Sequence, residues 1–238
     1  AVHADPHPEH PTRATALRTT VLPTGEVARV DAPTGADEPE LSTVVLDMKA
    51  LAETSDFELH ASLRPLADAY DHWLDRQEAR LGDPAEGLAP LAAVARASLA
   101  RARSAASRLR AGIDLVGQGG DVAEAFRFAN RAMWLQRVHT VAVARRRTEA
   151  PRPFGELLES SDVPKHRSWR PFQIAFLLVN LPALADPLHP DRSPEQGLVD
   201  LLFFPTGGGK TEAYLGLTAF TLAIRRLQGN VAGHSGAD

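Results

Sequence analysis

Between residues 50 and 150 apolar side chains return every three or four positions, the spacing that puts them on one face of a helix. The clearest run is Leu88, Leu91, Ala95, Leu99, Ala102, Ala106, Leu109 and Ile113. It predicts a helix opening at Asp83-Pro84-Ala85-Glu86, where a cap, a first-turn proline and a third-position acid coincide, and closing near Ala111. An earlier helix is expected over 66–81. A later one starts at Asp121 with Glu124, beyond the break at 117–120, and reaches Arg147 with Phe126, Ala129, Met133 and Thr140 on one side. Three long helices joined by short breaks predict an antiparallel bundle over 50–150, with Pro151-Arg152-Pro153 as the linker after it. Residues 1–49 read differently. They are rich in Pro, Thr, Gly and acid, which predicts an extended, irregular stretch with a hairpin at Thr24-Gly25 between residues 19–22 and 26–30.

The pattern changes again in Leu201-Leu202-Phe203-Phe204-Pro205-Thr206-Gly207-Gly208-Gly209-Lys210-Thr211, an apolar strand running into a glycine turn and a helix over 210–227. Consecutive glycines allow backbone conformations closed to other residues, so several N–H groups can converge on phosphate oxygens. The helix that follows points its positive end at the same place. Lys210 is expected to reach the β- and γ-phosphates of ATP, and the Thr211 hydroxyl to join the coordination of Mg²⁺. Thr206, Gly207, Gly208 and Gly209 complete the cradle. The common pattern has Gly or Ala five residues before the last glycine, where this chain has Phe204.

Upstream, Ser168-Trp169-Arg170-Pro171-Phe172-Gln173 opens another apolar helix, since Pro171 suits a first turn. Gln173 would project from that turn. Its amide offers a donor beside an acceptor, the complement of adenine N7 and N6, so it can select ATP over GTP; a glutamine merely solvated at a helix start is the plain alternative.

The segments SWRPFQIAFLLVNLPALADPLHPDR and DLLFFPTGGGKTEAYLGLTAFTLAIRRL, with AFRFANRAMWLQRVHT before them, resemble the start of the first motor domain of superfamily 2 helicases and translocases, where an aromatic-Gln motif precedes a PTGxGKT-type loop. Within that superfamily they resemble the helicase component of the bacterial DISARM anti-phage system. The likeness covers about residues 121–228, most specifically 166–228. It implies the beginning of a RecA-like α/β P-loop domain over 151–238, so that the expected fold is mixed, a helical bundle followed by part of a motor. It also implies ATP-driven movement on DNA within a multi-protein defence complex, with Gln173 and residues 207–211 as the site. The acidic pair such a motor needs on a later strand, and the arginines of its second motor domain, do not follow residue 211 here. The chain therefore reads as a piece of a longer polypeptide, inactive alone, whose enzymatic function is that of the parent. Val44-Val45-Leu46-Asp47 resembles an acidic strand but precedes the loop, and it reads as structural. A P-loop switch or kinase is disfavoured by Arg170-Pro171-Phe172-Gln173.

Composition narrows the picture. The chain has no cysteine, which excludes disulfides and thiolate metal sites. No apolar stretch reaches the length of a membrane span and no basic-then-apolar leader is present, so no membrane contact and a cytoplasmic location are expected. Residues 76–152 carry 14 basic and 7 acidic groups, whereas residues 1–75 carry 5 and 14. The basic block can meet DNA phosphates or an acidic partner, or it can pair with the acidic segment before it. Trp73, Trp134 and Trp169 read as core or interface anchors, and Asn130 and Gln136 as groups that satisfy backbone or meet another domain. His3, His7 and His10 lie among prolines and are not read as metal ligands. A second function class stays open beside the motor: an interaction module whose bundle docks a partner subunit.

Overall fold

The computed structural model describes residues 2–19, 33–149, 151–195, 197–202, 208–231 and 233–235. They fall in two compact units, residues 1–31 and 32–238. In the first, β1 (Val2–Pro6) pairs antiparallel with β2 (Ala14–Thr19), Ala4 opposite Leu17, with an irregularity between Asp5 and Pro6. This hairpin falls in a stretch expected to be irregular. Pro6 sits at the strand end beside the irregularity, where a missing N–H is tolerated, and Thr15 and Thr19 favour extended backbone. The hairpin predicted about Thr24-Gly25 lies outside the described residues.

The second unit is helical: α1 (Met48–Glu53), α2 (Asp56–Gly82), α3 (Ala92–Gly117), α4 (Gly120–Thr148), α5 (Phe154–Ser161), α6 (Pro164–Arg167), α7 (Pro171–Ala185) and α8 (Lys210–Gln228), followed by a short hairpin of β3 (Asn230–Val231) and β4 (His234–Ser235). Helix α2 begins ten residues before the predicted start. Pro65 is accommodated inside the helix, with Leu59 and Leu63 fully buried on its N-terminal side. Asp83 caps as expected, accepting from the Ala85 N–H, but what it caps is a single 3₁₀ turn, Pro84–Glu86. Gly87, at φ 64°, ends that turn, and α3 starts at Ala92. The apolar face of α3 is as read, although it is buried only from Ala106 onward; Leu91 is 60% exposed. On α4, Phe126, Ala129 and Met133 are buried and Thr140 is exposed.

Close approaches order the helices. Gly117 lies against His60 and Arg103 pairs with Asp75 and Glu78, so α2 and α3 run antiparallel. Gly112 lets α3 lie directly on the Leu178 carbonyl of α7. At one end of α7 and α8, Gln173 bonds Gly209; at the other, Arg225 donates to the Leu184 carbonyl (2.7 Å) and Gln228 to that of Ala185 (2.8 Å). These two helices are therefore parallel. Helix α4 packs antiparallel on α8, its Asn130 joined through Trp169 to Gly216 and its Arg137 to Glu212. The bundle expected over 50–150 is present, but it is completed by α7 and α8, and one core runs from Leu41 to Ile224.

The charge asymmetry resolves largely into pairs within the unit. Arg103 and Arg110 meet Asp71, Arg127 meets Asp56 and Arg76 meets Glu38. The Val44–Asp47 run is structural, as read. Asp47 caps α1 through the Lys49 N–H and is held by Arg167 at 2.8 and 3.0 Å, while the Leu46 carbonyl accepts from the Trp169 N–H. Arg167 also grips Asp162, which accepts from Trp134 Nε1 at 2.7 Å. Burial pushes the Asp47 and Asp162 carboxyls up, but Arg167, together with the Lys49 amide at Asp47 and the Trp134 indole at Asp162, outweighs it and leaves both below the usual carboxylate range.

Candidate functional site

The site forms where the first turns of α7 and α8 meet. Of the predicted loop, Gly208, Gly209, Lys210 and Thr211 are described; Phe203, Phe204, Pro205, Thr206 and Gly207 lie outside the described residues. Helix α8 opens at Lys210, as predicted, with Gly209 as its N-cap at φ 89°. That angle is in the left-handed region that glycine adopts without cost. A Cβ there would also sit 2.5 Å from Gln173 Nε2, so the close packing of the turn against α7 needs a residue without a side chain. The preceding Leu201 and Leu202 belong to no strand among the described residues.

Two side chains of α7 hold the turn. Arg170, the N-cap residue, donates from Nη1 to the Gly208 carbonyl at 2.9 Å. Gln173 is 4% exposed; its Oε1 accepts from the Arg170 N–H at 2.7 Å and its Nε2 donates to the Gly209 carbonyl at 2.7 Å. In a trans peptide the N–H points opposite to the C=O. With both carbonyls drawn toward α7, the amides of Gly209 and Lys210 are turned to the other side. Two parallel helix N-termini lie at this point, adding their positive ends to Lys210 and Arg170. Thr211 is exposed in the first turn of α8 and Lys210 is half-buried.

The arrangement joins Gln173 to the glycine loop, which the sequence placed 36 residues apart. It also brings in residues that the sequence reading passed over. Arg170 stands in the Trp-Arg-Pro-Phe-Gln motif with no role of its own expected, and its position one residue before a helix-opening proline is the signal that it caps. Glu212 lies one residue beyond the Lys-Thr pair, and Arg137 of α4 meets it at 3.3 Å, offsetting a carboxylate that would otherwise stand beside an anion site. Trp169 is buried with its indole N–H on Asn130 Oδ1 at 2.8 Å, and its ring packs on Gly216 of α8. It is a core anchor, as read, and Asn130 spends its other group on the Phe126 carbonyl. No described helix is long and apolar enough to cross a membrane.

None of the known protein-family models matches the chain. It is similar to the DISARM protein DrmA of Bacillus paralicheniformis, with 34% identity over 219 residues. That alignment takes in 90% of this chain and 18% of the relative, so the chain spans less than a fifth of the protein it matches. The resemblance expected from the sequence is thereby found, and it extends well upstream of residue 121.

Proposed function

We propose that this chain is the N-terminal part of an ATP-dependent DNA helicase or translocase acting in DISARM anti-phage defence. In this reading 151–238 begins a RecA-like ATP-binding domain and 50–150 is a bundle built onto it. The single observation that carries the nucleotide site is the double clamp on the turn: Arg170 on the Gly208 carbonyl and Gln173 on the Gly209 carbonyl, at the joint N-termini of two parallel helices. The cradle at Gly209 has the positive φ and lack of side-chain space that a phosphate-binding turn uses. Residues 205–211 would take the phosphates of ATP, Lys210 pairing with the β- and γ-oxygens and Thr211 joining Mg²⁺. Bound ATP and Mg²⁺ supply the transferable phosphoryl group; the protein's own part is to orient it and to hold positive charge where negative charge grows. Gln173 Oε1 and Nε2 each keep one further hydrogen-bonding capacity, which is what adenine recognition would use. The chain by itself is expected to hydrolyse little or no ATP.

The test uses the full-length parent. DNA should raise its ATPase rate several-fold, and Lys210→Ala should abolish measurable hydrolysis without unfolding it. A hydrogen bond to a charged group contributes about 1.5 to 3 kcal/mol, roughly ten- to 150-fold in binding, with a larger loss in catalysis. Near-normal turnover in that variant would remove the phosphate site.

A second reading, a docking module for another subunit of the defence complex, is favoured by an apolar groove of about 680 Å³ between α2, α3 and α7, lined by Tyr70, Trp73, Phe172 and Phe176. Glu38 lies in it, 9% exposed, with Oε2 unpartnered among the described residues. The two readings are compatible within one protein.

A further inference from the structure

The connection from α7 to α8 crosses residues 186–209 with one 3₁₀ turn, Pro190–Arg192, as its only regular described element. Within it Leu198, Val199 and Leu201 are open to solvent, Val199 at 88% and Leu201 at 84% exposure. Apolar packing therefore does little to fix it. Instead one guanidinium reaches out from the middle of α3. Arg108 donates from Nη1 and Nη2 to the two carboxylate oxygens of Asp200, both at 2.7 Å. The same Nη2 donates to the Val179 carbonyl of α7 at 3.2 Å, and Nε lies 3.3 Å from Asp191. The Leu198 N–H closes back on the Asp191 carbonyl at 2.8 Å, so the segment is drawn into a loop whose two ends meet the same cation.

Arg108 is only 19% exposed and both carboxylates 27%. A forked, partly buried pair of this kind restricts its partner far more than a surface lysine would. Asp200 stands eight residues before Gly208, whose carbonyl Arg170 holds. The described residues on either side of the predicted phosphate loop are thus each held by a side chain from another helix: Asp200 by Arg108 of α3, Gly208 and Gly209 by Arg170 and Gln173 of α7. Flanking residues already held in place spare ligand binding the entropy of ordering them.

We propose that Arg108 is a positioning residue for the nucleotide loop, holding Asp200 and Asp191 so that the packing of α3 on α7 sets how well the loop receives phosphate. This rests on the nucleotide-site reading above. It makes the bundle a control surface for the site: whatever shifts α3 along α7 moves the upstream anchor while the downstream one stays.

The test compares the full chain with its Asp200→Asn and Arg108→Lys variants by amide hydrogen exchange, by titration with Mg²⁺ and a fluorescent N-methylanthraniloyl ATP, and by thermal midpoint. For Asp200→Asn the expected result is exchange at 198–202 and 208–210 at least tenfold faster, nucleotide affinity about three- to tenfold weaker, and a midpoint lowered by only a few degrees, because Arg108 keeps the Val179 carbonyl and Asp191 beside it. Arg108→Lys keeps the charge and loses the fork, and should fall between. Unchanged exchange in Asp200→Asn overturns the anchor. Faster exchange with wild-type affinity overturns its role at the nucleotide site. If the unaltered chain binds no nucleotide, the phosphate-site reading fails, and the exchange rates alone then decide whether the anchor exists.

Discussion

Gly209 and Gln173 form the tightest joint of the site, and each can be tested alone. Gly209→Ala forces a side chain into a backbone at φ 89° and 2.5 Å from Gln173 Nε2. The strained backbone costs about 1 to 2 kcal/mol, and the displaced amide loses its bond as well. The variant should melt several degrees lower and bind nucleotide at least tenfold more weakly, which calorimetry and titration will read. For Gln173→Ala, two hydrogen bonds of a buried amide disappear and their partners are left unpaired, so a stability loss of about 1 to 3 kcal/mol is expected. The nucleotide readout separates its two roles. A larger loss for ATP than for GTP assigns the amide to adenine; equal losses assign it to holding the Gly209 carbonyl alone.

At the scale of the helices, the decisive contact is the one between α3 and α7, where any Cβ at residue 112 runs into the Leu178 carbonyl. Gly112→Leu must separate the two helices by the width of a side chain. Overpacking of this kind costs about 1 to 3 kcal/mol, and here it also strips Arg108 from the Val179 carbonyl, so chemical denaturation should show a loss at the upper end of that range. Gly112 also marks what the sequence could and could not tell. Periodicity located α4 to within a residue at each end and found the apolar face of α3, but α3 starts nine residues after the predicted Asp83 opening and ends six beyond Ala111, while the Lys210 start of α8 was legible from the glycines before it. The packing partners were not legible. A glycine inside a helix looks like a weakness in one dimension and is an intimate contact in three. The first ten residues of α2 were illegible for the same reason, since tertiary packing of Leu59 and Leu63 carries the helix through Pro65, a residue that usually ends one. Gln173 and the glycine loop were expected to serve one nucleotide, but the bond between Gln173 and Gly209, like the roles of Arg108, Arg137 and Glu212, came only with the fold, where the partners stand 36, 92 and 75 residues apart in the chain.

For the molecule as a whole, the Asp47–Arg167–Asp162 network ties α1, α4 and the stretch before α7 together, and it gives stability a defined pH dependence. Both carboxyls titrate below their unfolded values, so their contribution is fully present above the unfolded pKa of about 4 and is lost as pH falls through the lower folded values. Thermal midpoints should hold from neutrality to about pH 5 and fall steeply below pH 4. Arg167→Met should flatten that fall while lowering the midpoint at pH 7, since two carboxylates lose their cation; an unchanged acid limb would remove the network from the account. The parallel course of α7 and α8 has a mechanical consequence. With 15 and 19 residues rising about 1.5 Å each, the two are rods of roughly 22 and 28 Å, bonded to each other at both ends. Joined at both ends they form a stiff connection between the glycine turn and the Arg225–Gln228 end, over whose length a tilt of about 5° would amount to about 2 Å, the size of step by which helices signal across interfaces. On the nucleotide-site reading, occupancy of the turn would then be felt at the far ends of α7 and α8.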